Sequence, residues 1–222
     1  MAIEVDTKDC TALSDAELAE MADLCADGPF RYEAGLLSKQ AAAWVLVTLV
    51  RDSGRLKGFG FCTLERIGGT PSVLIGLASV KRTAKRDTVL RAMMTDQLRR
   101  AVLAFPDEDV LIGTRFATFH GYEAFKTLTD IVPRPDYAAT GEERAWGRRL
   151  AKRFGVDGSG YDERCFTVTG DELPPLVLDY ESLRPEKLDP RFETFFGTVD
   201  PAKGDCLIAF GWALAEQLEK LV

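Results

Sequence analysis

Lys81, Arg82, Lys85 and Arg86 fall within six residues of an otherwise acidic chain, where an apolar strand gives way to an amphipathic helix. The strand side, residues 73 to 80, reads VLIGLASV, and the helix side carries Leu90, Met93, Met94, Leu98, Ala101 and Val102 at spacings of three and four. A helix N-terminus offers unpaired backbone N–H groups and a partial positive charge, so cations beside it build an anion site. Its natural ligand is a phosphate. The plain alternative is a solvated crossover turn whose charges only hold the loop in water.

Other chemistries find less support. No serine lies in G-x-S-x-G, there is no G-x-x-x-x-G-K-[ST] loop, and no H-E-x-x-H occurs. The acidic run Asp157 to Glu163 lacks the spacing of a calcium loop, and no metal is expected. His120, the only histidine, reads either as a base or proton relay or as a helix cap. The five cysteines are scattered and odd in number, which fits reduced thiols rather than a disulfide frame or a zinc site.

The elements that must carry these residues are legible in outline. Ser14 and Glu17 form a capping box, and a helix over about 14 to 26 follows. Three strands come next, Trp44 to Arg51, Leu56 to Glu65 and 73 to 80, separated by Asp52-Ser53-Gly54 and Gly68-Gly69. In the second, Phe59 and Phe61 share one face and Gly58 and Gly60 the other. A helix over about 88 to 104 leads to the short buried strand 110 to 114, parallel to the strand before it because the connection is helical. Further helices are expected over about 119 to 129, 141 to 154 and 213 to 221, and a buried strand over 206 to 210. The stretch 171 to 204 reads as an ordered excursion with little regular structure, passing over one end of a groove as a wall or lid.

Helix, three antiparallel strands, helix, parallel strand, helix: this order, over about residues 10 to 130, resembles the GNAT superfamily of N-acetyltransferases. The resemblance implies an α/β fold, a mixed sheet in which an antiparallel meander joins a parallel strand pair, flanked by helices. It also implies coenzyme A or acyl-CoA as donor, held at Val80, Lys81, Arg82, Lys85, Arg86, Asp87, Thr88 and Val89. Lys85 stands where the family has Arg or Gln in R/Q-x-x-G-x-G/A, and Thr88 and Leu90 replace its two small residues. The run Arg115 to Phe125 is similar to the family segment whose Tyr protonates the departing thiolate, which makes Tyr122 the candidate acid. Strand 73 to 80 lacks the acid sometimes found there, so Glu65 is the substitute base, beside His120. The thioester oxygen would meet a backbone N–H near Leu77 to Ser79, where the two parallel strands separate.

The expectation is one domain over 1 to 222, a GNAT-like core at about 10 to 130 with a C-terminal elaboration over 131 to 222. Its activity would be transfer of an acyl group from coenzyme A, or from a carrier protein's phosphopantetheine arm, directly to a small-molecule acceptor. The alternative is a catalytically inactive GNAT-fold protein that binds a ligand or partner. A net charge of −7 argues against nucleic acid or an anionic membrane as partner. No apolar run reaches the roughly 18 residues of a membrane span, and no leader is evident, so a cytoplasmic location is expected.

Overall fold

The computed structural model describes residues 3–221. A strand not expected from the sequence opens it: β1 (Ile3–Asp9) runs antiparallel to β2 (Leu46–Asp52) from Ile3↔Asp52 to Asp9↔Leu46. Only Ile3 and Val5 are apolar in that segment, too few for a strand's alternation to show. α1 (Asp15–Cys25) starts on the Ser14–Glu17 capping box, with Glu17 accepting from the Ser14 N–H at 2.9 Å. A second unexpected element, α2 (Ala34–Ala43), packs beside it.

β2, β3 (Arg55–Ile67) and β4 (Thr70–Val80) form the antiparallel meander, and α3 (Arg86–Ala104) crosses over to β5 (Val110–Phe116), parallel to β4. The two faces of β3 explain how the layers stack. Phe59 and Phe61 join α1 and α2 in one cluster with Met21, Leu37 and Leu77; burial of each ring contributes on the order of 2 kcal/mol. On the opposite face a Cβ at Gly58 would stand 2.7 Å from Val89 Cγ1, and one at Gly60 3.0 Å from the Met93 sulfur. The glycines let α3 lie close against the sheet.

After β5, the helix expected over 119 to 129 is instead a shorter 3₁₀ helix, Phe119–Phe125. Tyr122 and Phe125 both turn onto the Phe116 ring, each with centroids 5.1 Å away. A spacing of three is the one a 3₁₀ helix brings into line. β6 (Thr129–Val132) and α4 (Gly141–Arg153) follow, then the short strands β7 (Tyr161–Asp162), β8 (Thr167–Val168) and β9 (Leu178–Asp179). Three 3₁₀ turns lead to β10 (Cys206–Ala213) and the closing helix α5 (Ala215–Leu218).

The sheet order is β1-β2-β3-β4-β5-β10-β8-β7, with β6 beside β10 and β9 beside β4. β10 extends the sheet by pairing antiparallel with β5, from Leu207↔Phe116 to Ala213↔Val110. β4 and β5 pair directly only from Ser72↔Leu111 to Leu74↔Gly113. Beyond Gly113 the two strands part. The Thr114 hydroxyl still reaches the Ile75 carbonyl at 2.9 Å. Further along, the gap is filled by β9, which runs parallel to β4 at Ala78↔Leu178 and Ser79↔Asp179.

Candidate functional site

The basic run lies where the sequence put it, between the end of β4 and the start of α3. Its cations are already engaged by the chain itself. Arg82 forks onto Asp179, Nη2 to Oδ1 at 2.7 Å and Nη1 to Oδ2 at 3.3 Å, while its Nε meets Glu181 at 3.1 Å. Arg86 donates to the Glu181 carbonyl at 2.5 Å and the Ser182 carbonyl at 3.2 Å. Lys85 pairs with Asp52 at 2.7 Å. Lys81 makes no ion pair among the described residues. The loop therefore holds anionic and carbonyl oxygens as a phosphate site would, but they come from residues 179 to 182.

Asp87, expected as a carboxylate beside the site, accepts from the Tyr180 hydroxyl and from the Leu183 N–H. At the first turn of α3, the Thr88 and Val89 N–H groups both bond back to the Lys85 carbonyl, at 2.9 and 3.1 Å. Val80 and Val89 are buried in the core, Val89 against Gly58. Their side chains serve packing. Charge also ties residue 179 to β4 below the loop, where the Ser79 hydroxyl donates to Asp179 at 3.2 Å. In the gap, the Ala78 N–H donates to the Val177 carbonyl at 3.0 Å.

The three candidate acid–base residues are not brought together. Tyr122 is 2% exposed, and its hydroxyl donates to the Pro133 carbonyl at 3.1 Å beneath Phe192, 4.0 Å away between ring centroids. Burial pushes its phenol well above the usual range, so its proton is committed to the fold. Glu65 sits opposite Ser72, at the far end of β4 from the basic loop, and forms an ion pair with Arg153 at 2.6 Å. At about 3.3 Å per residue the strand puts some 25 Å between it and the loop, which corrects its assignment as a base. His120 does line a cleft, stacked on Phe119 at 4.4 Å. Its Nδ1 is sealed without a partner, and burial, outweighing the nearby Glu181, lowers its pKa from 6.5.

Two clefts, each of about 740 Å³, flank the segment 171–205, called the strap below. One follows α3 from Asp87 to Leu98 and is closed by Lys126, Leu183, Lys187 and Leu218. The other is lined by Phe30, Arg82, Ala117, His120, Leu178 and Tyr180. Sequence reading missed the strap's acids because 171 to 204 looked like polar connection. A local signal existed: Asp179 and Glu181 are separated by one residue, and four clustered cations call for anions that a ligand or the chain's own acids can bring. Arg115 was also missed, although a charge inside the strand VLIGTRF is conspicuous. Among the described residues no three His, Cys, Asp or Glu side chains gather as a metal group, and no helix is long and apolar enough to cross a membrane.

An antiparallel meander joined through a crossover helix to a parallel strand, with the pair parting toward one end, is the GNAT architecture. No protein-family model and no curated protein sequence matches the chain. Solved structures similar to it include the ribosomal-protein-S18-alanine N-acetyltransferase from Escherichia coli, at 10% identity over 63% of this chain and 86% of that one, TM-score 0.43. An acyl-CoA N-acyltransferase from Pseudomonas aeruginosa overlays at 16% identity over 61% and 94%, TM-score 0.40. An IAA acetyltransferase from Bacillus cereus overlays at 8% identity over 96% and 100%, TM-score 0.39. Overlays this loose carry the fold no further than the strand order already does.

Proposed function

We propose that the chain is a GNAT-type acyltransferase whose donor groove is covered by its own strap. The observation that carries this reading is the gap between β4 and β5, which opens toward the basic loop and is filled by the two residues of β9. The donor would be a coenzyme A thioester; a carrier-borne phosphopantetheine thioester offers the same reacting group. Withdrawal of the strap would free the Ala78 N–H, now on Val177, to meet the thioester oxygen as charge develops on it. It would also free Arg82 and Arg86 for the pyrophosphate. His120, whose imidazole burial keeps neutral and which lines the cleft, would relay the acceptor's proton.

A second reading is favoured by specific geometry. Tyr122 is locked onto Pro133 and Glu65 is remote, so a GNAT-fold protein that binds without transferring explains those two residues better. The double variant Asp179→Asn, Glu181→Gln separates the readings, since it removes the strap's charge from Arg82. Calorimetry should show coenzyme A binding the variant at least about tenfold more tightly than the unmodified chain, and acetyl-CoA should be turned over with a primary amine present. Coenzyme A binding without transfer points to the second reading. No binding by either protein sinks the donor assignment.

A further inference from the structure

Arg115 is a buried cation without an anion. It lies in β5 at 6% exposure, in a strand whose other residues are uncharged. No hydrogen bond or ion pair reaches its guanidinium from the described residues. Nε is sealed from solvent and unpartnered; the Nη groups, equally unpartnered, are not sealed. The guanidinium lies over the Phe154 ring, 4.8 Å from its centroid. Such stacking uses the flat face and leaves the in-plane N–H groups free.

Nothing nearby neutralises it. Tyr32 and Cys206 are the titratable groups that bear on Arg115. Burial pushes the Tyr32 phenol well above its usual range and the Cys206 thiol up to about 11, so neither is negative at neutral pH. A buried guanidinium left in this state is costly, and proteins seldom keep one without a partner. The wall beside it is aromatic, with Phe154 6.2 Å from Trp44 and the Trp44 ring filling the space over Gly76. Two residues further on, Ala117 lines the cleft that also holds Phe30 and Leu178.

We propose that Arg115 anchors a carboxylate-binding site reached from that cleft, and that its ligand is a small molecule joining one carboxylate to an apolar or aromatic body. A free guanidinium edge matches the two oxygens of a carboxylate, and one buried cation balances one negative charge. A phosphate dianion would leave buried charge in excess. Trp44 and Phe154 supply the surface for the apolar body. Under the acyl-transfer reading this ligand is the acceptor; the binding itself does not depend on that reading.

The test is titration calorimetry of the full chain, with no coenzyme A present, using benzoate, its neutral counterpart benzamide, and inorganic phosphate. Benzoate should bind saturably, and benzamide and phosphate should not. Arg115→Lys keeps the charge but loses the fork, and should weaken benzoate at least about tenfold. Arg115→Met should abolish binding while its Tm stays at or above that of the unmodified chain. The proposal is overturned by benzamide binding as tightly as benzoate, by phosphate binding more tightly, by no saturable benzoate binding, or by undiminished binding in Arg115→Lys. The lysine variant decides the matter if the methionine variant fails to fold. Because coenzyme A is absent, a failed donor assignment leaves this result standing.

Discussion

Arg82 and Arg115 stand on the two strands that frame one gap, or just beyond their ends, and their circumstances are opposite. Arg82 is met by two carboxylates of its own chain, one of them, Asp179, almost wholly buried. Arg115 is more deeply buried and meets none. A folded chain with more acids than bases has spent its nearby acids on one side of the gap and withheld them from the other. The contrast teaches where a foreign anion is already substituted for and where one is still called for. Desolvation of a charge must be offset by something, and only on the Arg82 side does this chain supply it.

The sharpest way to break the comparison is to take the anion from Arg82. Asp179→Ala should lower stability by about 2 to 3 kcal/mol, because it strands a partly buried cation and frees the strap; chemical denaturation would measure this. Removing the other cation should do the reverse. Arg115→Met is expected to leave stability unchanged or raise it by about 1 kcal/mol, since no partner is orphaned. A loss of similar size in both variants would mean that the two arginines are not different in kind.

Tyr122→Phe comes next. It deletes a buried hydroxyl that donates to Pro133, and should cost about 1 kcal/mol of stability while leaving any acyl transfer unchanged. A large fall in turnover with stability intact would restore Tyr122 as the acid. His120 offers a smaller effect with a definite sign. Its lowered pKa means that the unfolded chain binds the proton more readily, so stability is full above about 6.5 and falls as pH drops through that value. In His120→Gln the slope of Tm against pH between about 5 and 7 should flatten. Glu65→Gln, at the far end of β4 from Arg82, should change stability by less than about 0.5 kcal/mol and coenzyme A binding not at all.

Much of the frame was legible because periodicity and turns are local. The Phe59/Phe61 against Gly58/Gly60 alternation marked the two faces of β3, and the turns at Asp52-Ser53-Gly54 and Gly68-Gly69 marked the meander. β1 and α2 were not legible: the first has two apolar residues, and the second has helix formers without a side-chain cap at Glu33. The candidate site was legible only on one side. A cluster of cations announces an anion without saying whether a ligand or the chain itself brings it, and residues 179 to 182 are distant in sequence from residues 81 to 86. Tyr122 was read from the resemblance of Arg115 to Phe125 to a family segment, but here the segment winds as 3₁₀ and turns the hydroxyl inward to Pro133.

The hydrogen bond from Ala78 to Val177 also bears on the order in which the chain assembles. It closes a loop of about a hundred residues for the sake of a two-residue strand, whereas the β2–β4 meander joins neighbours across short turns. Contacts of such long separation are late to form and early to open. While the first hundred and thirty or so residues emerge from synthesis, β4 would carry a free edge above Leu74 that only residues yet to be made can cover. In the finished protein the same logic makes the Ala78 amide a clock for the strap. Its hydrogen should exchange with solvent sooner than that of Val73, which lies in the part of β4 paired on both sides.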